Sequence, residues 1–156
     1  MNIKEGQAAP EFSLPGSDGK QHSLKDYAGK KLLIYFYPKD NTPGCTKESC
    51  AFGQMYQDLQ TMDIALLGVS KDSLSSHDKF IVQFNLPFTL LSDPETQMLQ
   101  DYGAWGEKKM YGKTSFGCIR STVLIDEKGK VLKHWPQVKK AAEHPGQVME
   151  YLKGLD

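Results

Sequence analysis

The longest continuous apolar stretch of the chain is Leu32-Leu33-Ile34-Tyr35-Phe36-Tyr37, stopped by Pro38. An apolar run of strand length without alternation suits a strand covered on both faces, as in a parallel sheet with helices on each side. Residues 64–69 repeat this pattern, and residues 88–91 form a shorter third strand. Between these runs the apolar spacing becomes helical. Residues 43–62 read as one helix, with Phe52, Met55, Tyr56 and Leu59 toward the core. Residues 73–84 form a second helix, with Phe80, Ile81 and Phe84 on its apolar side. A third covers 94–102, opened by Asp93 as N-cap and Pro94 as first helical residue. Residues 11–24 alternate around the turn cluster Pro15-Gly16-Ser17-Asp18-Gly19, which predicts an N-terminal β-hairpin. Residues 105–117 read as a loop with exposed aromatics. Residues 119–125 and 130–135 pair as a hairpin across Asp126-Glu127-Lys128-Gly129, and residues 145–155 close the chain as a helix. The order describes an α/β chain: a central mixed sheet flanked by helices.

Length and composition narrow the possibilities. The 156 residues suit one domain spanning 1–156, with 39% hydrophobic and 24% charged residues. Nineteen basic and nineteen acidic side chains cancel, so nothing favours a nucleic acid or an anionic membrane as partner. No apolar run approaches the roughly 18 residues of a membrane span. Residues 1–9 carry charges and no apolar core, unlike a secretory leader. A cytoplasmic protein with reduced thiols is the expectation. Two counts stand out. There are three cysteines, too few for a disulfide-built scaffold, and one arginine, Arg120, among eighteen lysines.

Candidate chemistry concentrates after the first buried strand, in Pro38-Lys39-Asp40-Asn41-Thr42-Pro43-Gly44-Cys45-Thr46-Lys47-Glu48-Ser49-Cys50. The carboxyl end of such a strand is where open α/β sheets bind ligands. Thr42 fits an N-cap and Pro43 a first helical residue. Cys45 then falls in the first turn, among backbone N–H groups without intrahelical partners and at the positive end of the helix dipole. A thiolate is favoured there, which makes Cys45 a candidate nucleophile. The bland alternative is a small buried hydrophobe. Cys50 lies five residues further on. In an intact helix its Cα stands about 8.7 Å from that of Cys45, beyond the roughly 4.4–6.8 Å that a disulfide spans. If the two bond, the first helical turns must unwind. The spacing alone equally allows two unrelated thiols. Cys118 and the scattered His22, His77, His134 and His144 show no metal-ligand spacing, and each histidine reads as a surface residue.

Arg120 interrupts an apolar strand pattern, with alternation placing Cys118, Arg120, Thr122 and Leu124 on one face. A charge in such a place is paired or functional. A planar five-donor fork suits a thiolate, a peroxide oxygen or a carboxylate. Glu48, three residues after Cys45 on the same helical side, is a candidate to orient it. A purely structural Arg120–Glu48 or Arg120–Asp pair fits equally well.

Together these residues resemble the bacterioferritin-comigratory protein (peroxiredoxin Q) subfamily of peroxiredoxins. The resemblance runs through Ala9-Pro10-Glu11-Phe12, the segment from Phe36 to Thr46, Cys50, Gly68-Val69-Ser70, Leu91-Ser92-Asp93, Trp105-Gly106-Glu107-Lys108, Tyr111-Gly112 and Arg120-Ser121-Thr122. It implies a thioredoxin-like fold, to which the closing hairpin and helix also correspond by analogy. It implies a thiol peroxidase that reduces hydrogen peroxide and organic hydroperoxides with no cofactor, neither metal nor flavin. By the same resemblance Cys45 is the peroxidatic cysteine, Cys50 the resolving one and Thr42 the hydroxyl partner. Pro38 shields the pocket, Gly44 contributes backbone to it, and Arg120 activates thiolate and peroxide. The implied reductant is thioredoxin or glutaredoxin, and an intrachain resolving cysteine makes a monomer sufficient. A second reading is a peroxide sensor passing oxidation to a partner protein. Cys118 has no role in the motif, and is either a small buried residue or an alternative oxidation partner. Trp105 and Tyr111 either line the pocket mouth or pack the long loop.

Overall fold

A computed structural model describes residues 3–155. Its centre is a five-stranded sheet in the order β5-β4-β3-β8-β9. The strands β3 (Lys31–Phe36), β4 (Ile64–Ser70) and β5 (Thr89–Ser92) run parallel, while β8 (Ser121–Ile125) pairs antiparallel with β3 on one side and with β9 (Val131–Trp135) on the other. This is the expected central mixed sheet. The apolar run of β3 is buried throughout, and its alternation divides it between two cores. Leu32, Ile34 and Phe36 join Leu67, Val69, Met98, Leu99 and Val123 on one face. Leu33, Tyr35 and Tyr37 join Phe52, Leu59, Phe80, Val148 and Leu152 on the other. Burying each such side chain contributes about 1.5–3 kcal/mol, which is why no buried position of this strand is charged.

The second face is covered by α1 (Pro43–Gln54), α2 (Tyr56–Thr61), α3 (Leu74–Phe84) and α5 (His144–Lys153). The first face is covered by α4 (Gln97–Asp101) and by the N-terminal segment. That segment holds the predicted hairpin, β1 (Ser13–Pro15) with β2 (Gln21–Ser23). Among the described residues no helix is long and apolar enough to cross a membrane.

Four local expectations are corrected. The single helix over 43–62 is two, broken at Met55, whose φ −100° and ψ 6° leave the helical region. Gly53 precedes the break. A Cβ there would meet the Pro87 ring at 3.2 Å, so close packing holds a weak helix former at this point. The third helix starts at Gln97, with Thr96 as cap in the left-handed region at φ 63°. Asp93 and Pro94 form the preceding turn instead, and the Asp93 carboxylate reaches forward to accept the Leu99 N–H at 2.9 Å.

Residues 105–117 are not a loop. Here β6 (Trp105–Met110) and β7 (Lys113–Cys118) pair antiparallel across Tyr111 and Gly112, both at positive φ (53° and 76°). Two left-handed residues give the tight turn that matches strand twist. This hairpin shows no apolar alternation because much of β7 faces solvent, with Phe116 71% exposed. Last, the strand expected from Ile119 begins only at Ser121. Ile119 and Arg120 lie between β7 and β8, so the alternation does not run through them. Cys118 belongs to the first core and Leu124 to the second, not to one shared face.

Candidate functional site

The site is assembled where β3 ends and β8 begins. These strands are antiparallel neighbours, with Phe36 opposite Ser121. The chain leaving β3 toward α1 and the chain entering β8 therefore meet at one edge of the sheet. Thr42 caps α1 in extended backbone (φ −99°, ψ 155°) and Pro43 is its first residue. The Thr42 hydroxyl does not cap the helix. It donates to the Lys39 carbonyl at 2.8 Å, which ties the preceding turn together. Asn41 in that turn is left-handed, at φ 59°.

Cys45 stands in the first turn of α1 and is 1% exposed. The fork of Arg120 spans two side chains of that helix. Its Nη2 donates to Cys45 Sγ at 3.2 Å, and its Nη1 donates to Glu48 Oε1 at 2.8 Å. The backbone behind it is fixed, because the Arg120 carbonyl accepts the Val138 N–H at 2.8 Å. A Cβ on Gly44 would lie 3.2 Å from Arg120 Nη2, so glycine here leaves room for the guanidinium. Glu48 is fully buried, and its Oε2 has no hydrogen-bond partner among the described residues. Burial pushes the Glu48 carboxyl up to about 7, against the pull of the Arg120 charge. For Arg120, burial works against the charge, but Glu48 and the Cys45 sulfur outweigh it and hold the guanidinium above its ordinary value. A cleft of about 640 Å³ opens over Arg120, lined by Pro38, Ile119, Pro136 and Val138 with Glu107 and Lys108 at its rim. Among the described residues no cluster of three or more side chains could hold a metal ion.

The other thiols are apart from this pairing. Cys50 is half-buried on α1, and burial raises its pKa. Cys118 is buried in the first core, where burial pushes the thiol up to about 12. Trp105 packs against that core with Lys71 Nζ 5.8 Å above its ring, whereas Tyr111 is 97% exposed.

The histidine expectation fails at two positions. His77 and His144 are buried, at 0% and 2% exposure. His144 sits at the start of α5 with Nε2 2.8 Å from the Thr122 hydroxyl, edge-on to Phe52 and Trp135. Burial and then the Arg120 charge bring it down to about 4. His77 contacts Asp40 directly. Asp40, Ser49 and Tyr37 also carry buried hydrogen bonds around the site that the pattern did not single out. The available signal was the cluster of polar residues inside an otherwise buried segment.

Residues 5–134 match the AhpC/TSA family. The chain is 48% identical over 139 residues to "Putative peroxiredoxin bcp" of Coxiella burnetii, covering 89% of this chain and 92% of that protein. It is 42% identical over 155 residues to "Peroxiredoxin Bcp" of Bacillus subtilis, covering 99% and 98%. Among solved structures, the Xanthomonas campestris bacterioferritin comigratory protein superposes with a TM-score of 0.88 at 37% identity, covering 96% and 98%. That work concerns alkyl peroxide reduction by the Xanthomonas protein and its trapped intermediate and ligand complexes.

Proposed function

This chain belongs to the AhpC/TSA family, within it to the thioredoxin-fold peroxiredoxins of the Bcp or peroxiredoxin Q type, and on that premise we propose how its own residues carry out thiol peroxidase chemistry. Residues 1–156 act as one peroxidase domain. The Cys45 thiolate attacks the terminal oxygen of a hydroperoxide. The S–O bond forms as the O–O bond breaks, and the alcohol or water leaves with a proton. Cys45 becomes a sulfenic acid. The observation that carries this reading is the Arg120 fork, 3.2 Å from Cys45 Sγ and 2.8 Å from Glu48. A donor already aimed at the sulfur stabilises the thiolate and the charge that develops on the leaving oxygen. Glu48 sets the rotation of the fork. The Gly44 and Cys45 backbone N–H groups supply further donors, Thr42 Oγ1, its proton given to the Lys39 carbonyl, accepts from the peroxide, and Pro38 screens the sulfur from water. The alkyl peroxide reduction studied in the Xanthomonas relative supports organic hydroperoxides as substrates here, and the partly apolar cleft over Arg120 suits them.

Resolution follows within the chain. Cys50 attacks the sulfenic acid, an S–S bond forms and water leaves. Both cysteines belong to α1, so their Cα atoms stand about 8.7 Å apart while the helix is intact. The first turns therefore unwind before the bond closes. A dithiol protein such as thioredoxin or glutaredoxin then reduces the disulfide by exchange. The protein works as a cytoplasmic monomer, because no second chain is required.

One experiment tests the sequence of steps: peptide mapping after one equivalent of peroxide, beside a turnover assay with a thioredoxin system. The expected product is an intramolecular Cys45–Cys50 disulfide together with sustained peroxide consumption. A Cys45–Cys118 bond, or only dimers linked between chains, would refute the resolving role of Cys50. Full activity in Cys45→Ser would refute the assignment of the nucleophile.

A further inference from the structure

Asp40 is buried five residues before Cys45, and its carboxylate takes three donors. The Tyr37 hydroxyl binds Oδ1, while Ser76 Oγ at 2.8 Å and His77 Nδ1 at 2.7 Å bind Oδ2. His77, fully buried on α3, sets its other ring nitrogen 2.9 Å from the Leu91 carbonyl of β5. A carbonyl has no proton to give, so Nε2 carries one. Nδ1 faces a carboxylate already accepting two hydroxyls. At 2.7 Å, Nδ1 and Oδ2 share one proton along their hydrogen bond. The groups facing the ring are Tyr37 just after β3, Asp40 from the loop that follows, Ser76 of its own helix and the Leu91 backbone. Asp72 reaches the same loop through the Asp40 N–H at 2.8 Å.

We propose that His77 is a positioning residue for the peroxide step: its buried ring, bonded to Asp40 on one side and to the Leu91 carbonyl on the other, holds the loop of residues 38–42 in the geometry that Cys45 and Arg120 require. The path is continuous. Asp40 is pinned to α3, and Asn41 Nδ2 adds a bond to Gln83 of the same helix at 3.3 Å. The strained left-handed turn at Asn41 is held between these two ties. Thr42 closes the turn onto Lys39, and its carbonyl accepts the Thr46 N–H at 2.8 Å, the first bond of the turn that presents Cys45. The clamp acts on residues 38–42, which precede the turns of α1 that unwind. It therefore governs attack on peroxide and not the later closing of the disulfide.

This rests on Cys45 being the peroxidatic residue. The test mixes reduced full-length protein with hydrogen peroxide and follows sulfenic acid formation and disulfide closure as separate phases. His77→Leu, which removes both donors, is expected to lower the second-order rate of the first phase by about 10- to 100-fold. It should leave the second phase within about twofold, a split that general loosening of the fold does not produce. His77→Asn, which returns a donor near the Nδ1 position, is expected to recover part of the loss. Nitrogen NMR of the wild-type protein should show both His77 ring nitrogens held in hydrogen bonds. That measurement decides the matter even if His77→Leu does not fold. A ring without these hydrogen bonds, or a folded His77→Leu variant reacting at the wild-type rate, overturns the clamp. A wild type with no fast phase distinct from Cys45→Ser would instead overturn the peroxidase reading beneath it.

Discussion

The Tyr35 hydroxyl of β3 and the Ser49 hydroxyl of α1 lie 2.7 Å apart in a fully buried part of the second core. The pair fastens the sheet to α1 at the residue before Cys50. Burial holds the Tyr35 phenol well above its ordinary pKa, so it is present as a hydrogen-bonding hydroxyl. The proposed opening of α1, carried as far as Cys50, would separate these two groups. Removing either alone leaves a buried hydroxyl unpaired, at a cost of about 1–3 kcal/mol to the closed form. Ser49→Ala and Tyr35→Phe should each lower the melting temperature and speed disulfide closure after peroxide. The double variant should be less destabilised than the sum of the two. Stopped-flow traces and a double-mutant cycle provide the check, and strict additivity would remove the coupling.

Arg120→Lys keeps a positive charge but loses the fork that bridges Cys45 and Glu48. A single ammonium cannot hold both directions. The second-order rate with hydrogen peroxide is expected to fall by about 10²- to 10³-fold, the range seen when one preorganised donor is lost. A rate within threefold of wild type would show that charge suffices without geometry.

Glu48 supplies a pH dependence. Its carboxyl is raised in the fold to about 7 from the ordinary 4.5. The native state thus binds the proton more tightly than the unfolded chain. This favourable linkage is complete below about pH 4.5 and is lost as pH rises to about 7, a change on the order of a few kcal/mol. Over the same range the carboxylate that orients Arg120 becomes ionised. Wild-type protein should lose chemical stability relative to Glu48→Gln between these pH values. Denaturant melts of both proteins across the range measure it, and parallel curves would contradict the assignment.

His144 acts with the opposite sign. Burial and the Arg120 charge lower it to about 4 from 6.5. The unfolded chain takes up the proton first, so stability is full above about pH 6.5 and falls as pH drops to about 4. The expected loss is about 2–3 kcal/mol. His144→Gln, which keeps a polar group toward Thr122, should flatten this acid limb in melts at pH 4 to 7. An unchanged limb would assign the acid sensitivity elsewhere.

Local patterns made much of this molecule legible in one dimension. An apolar run buried on both faces has few alternatives to a central strand, so β3 and β4 follow from residues 32–37 and 64–69. The start of α1 follows from Thr42 and Pro43, because cap and first-turn preferences depend only on neighbouring residues. Cys45 acquires its place from the same short segment. The hairpin of β6 and β7 was hidden because its residues show no apolar period, and pairing there comes from a two-residue left-handed turn.

What the tertiary structure alone decided is which distant groups meet. Arg120 lies 75 residues from Cys45, and nothing periodic connects them. They join because β8 pairs antiparallel with β3, which brings the residue before Ser121 to the edge that β3 leaves on its way to α1. The single arginine signalled an unusual requirement, but its partner depended on strand order. The same holds for His77, which looks like a polar residue on a surface helix until α3 packs its ring against Asp40 and Leu91. Sequence determines an element through short-range backbone and solvation preferences. A site is determined by long-range packing, which no local preference encodes.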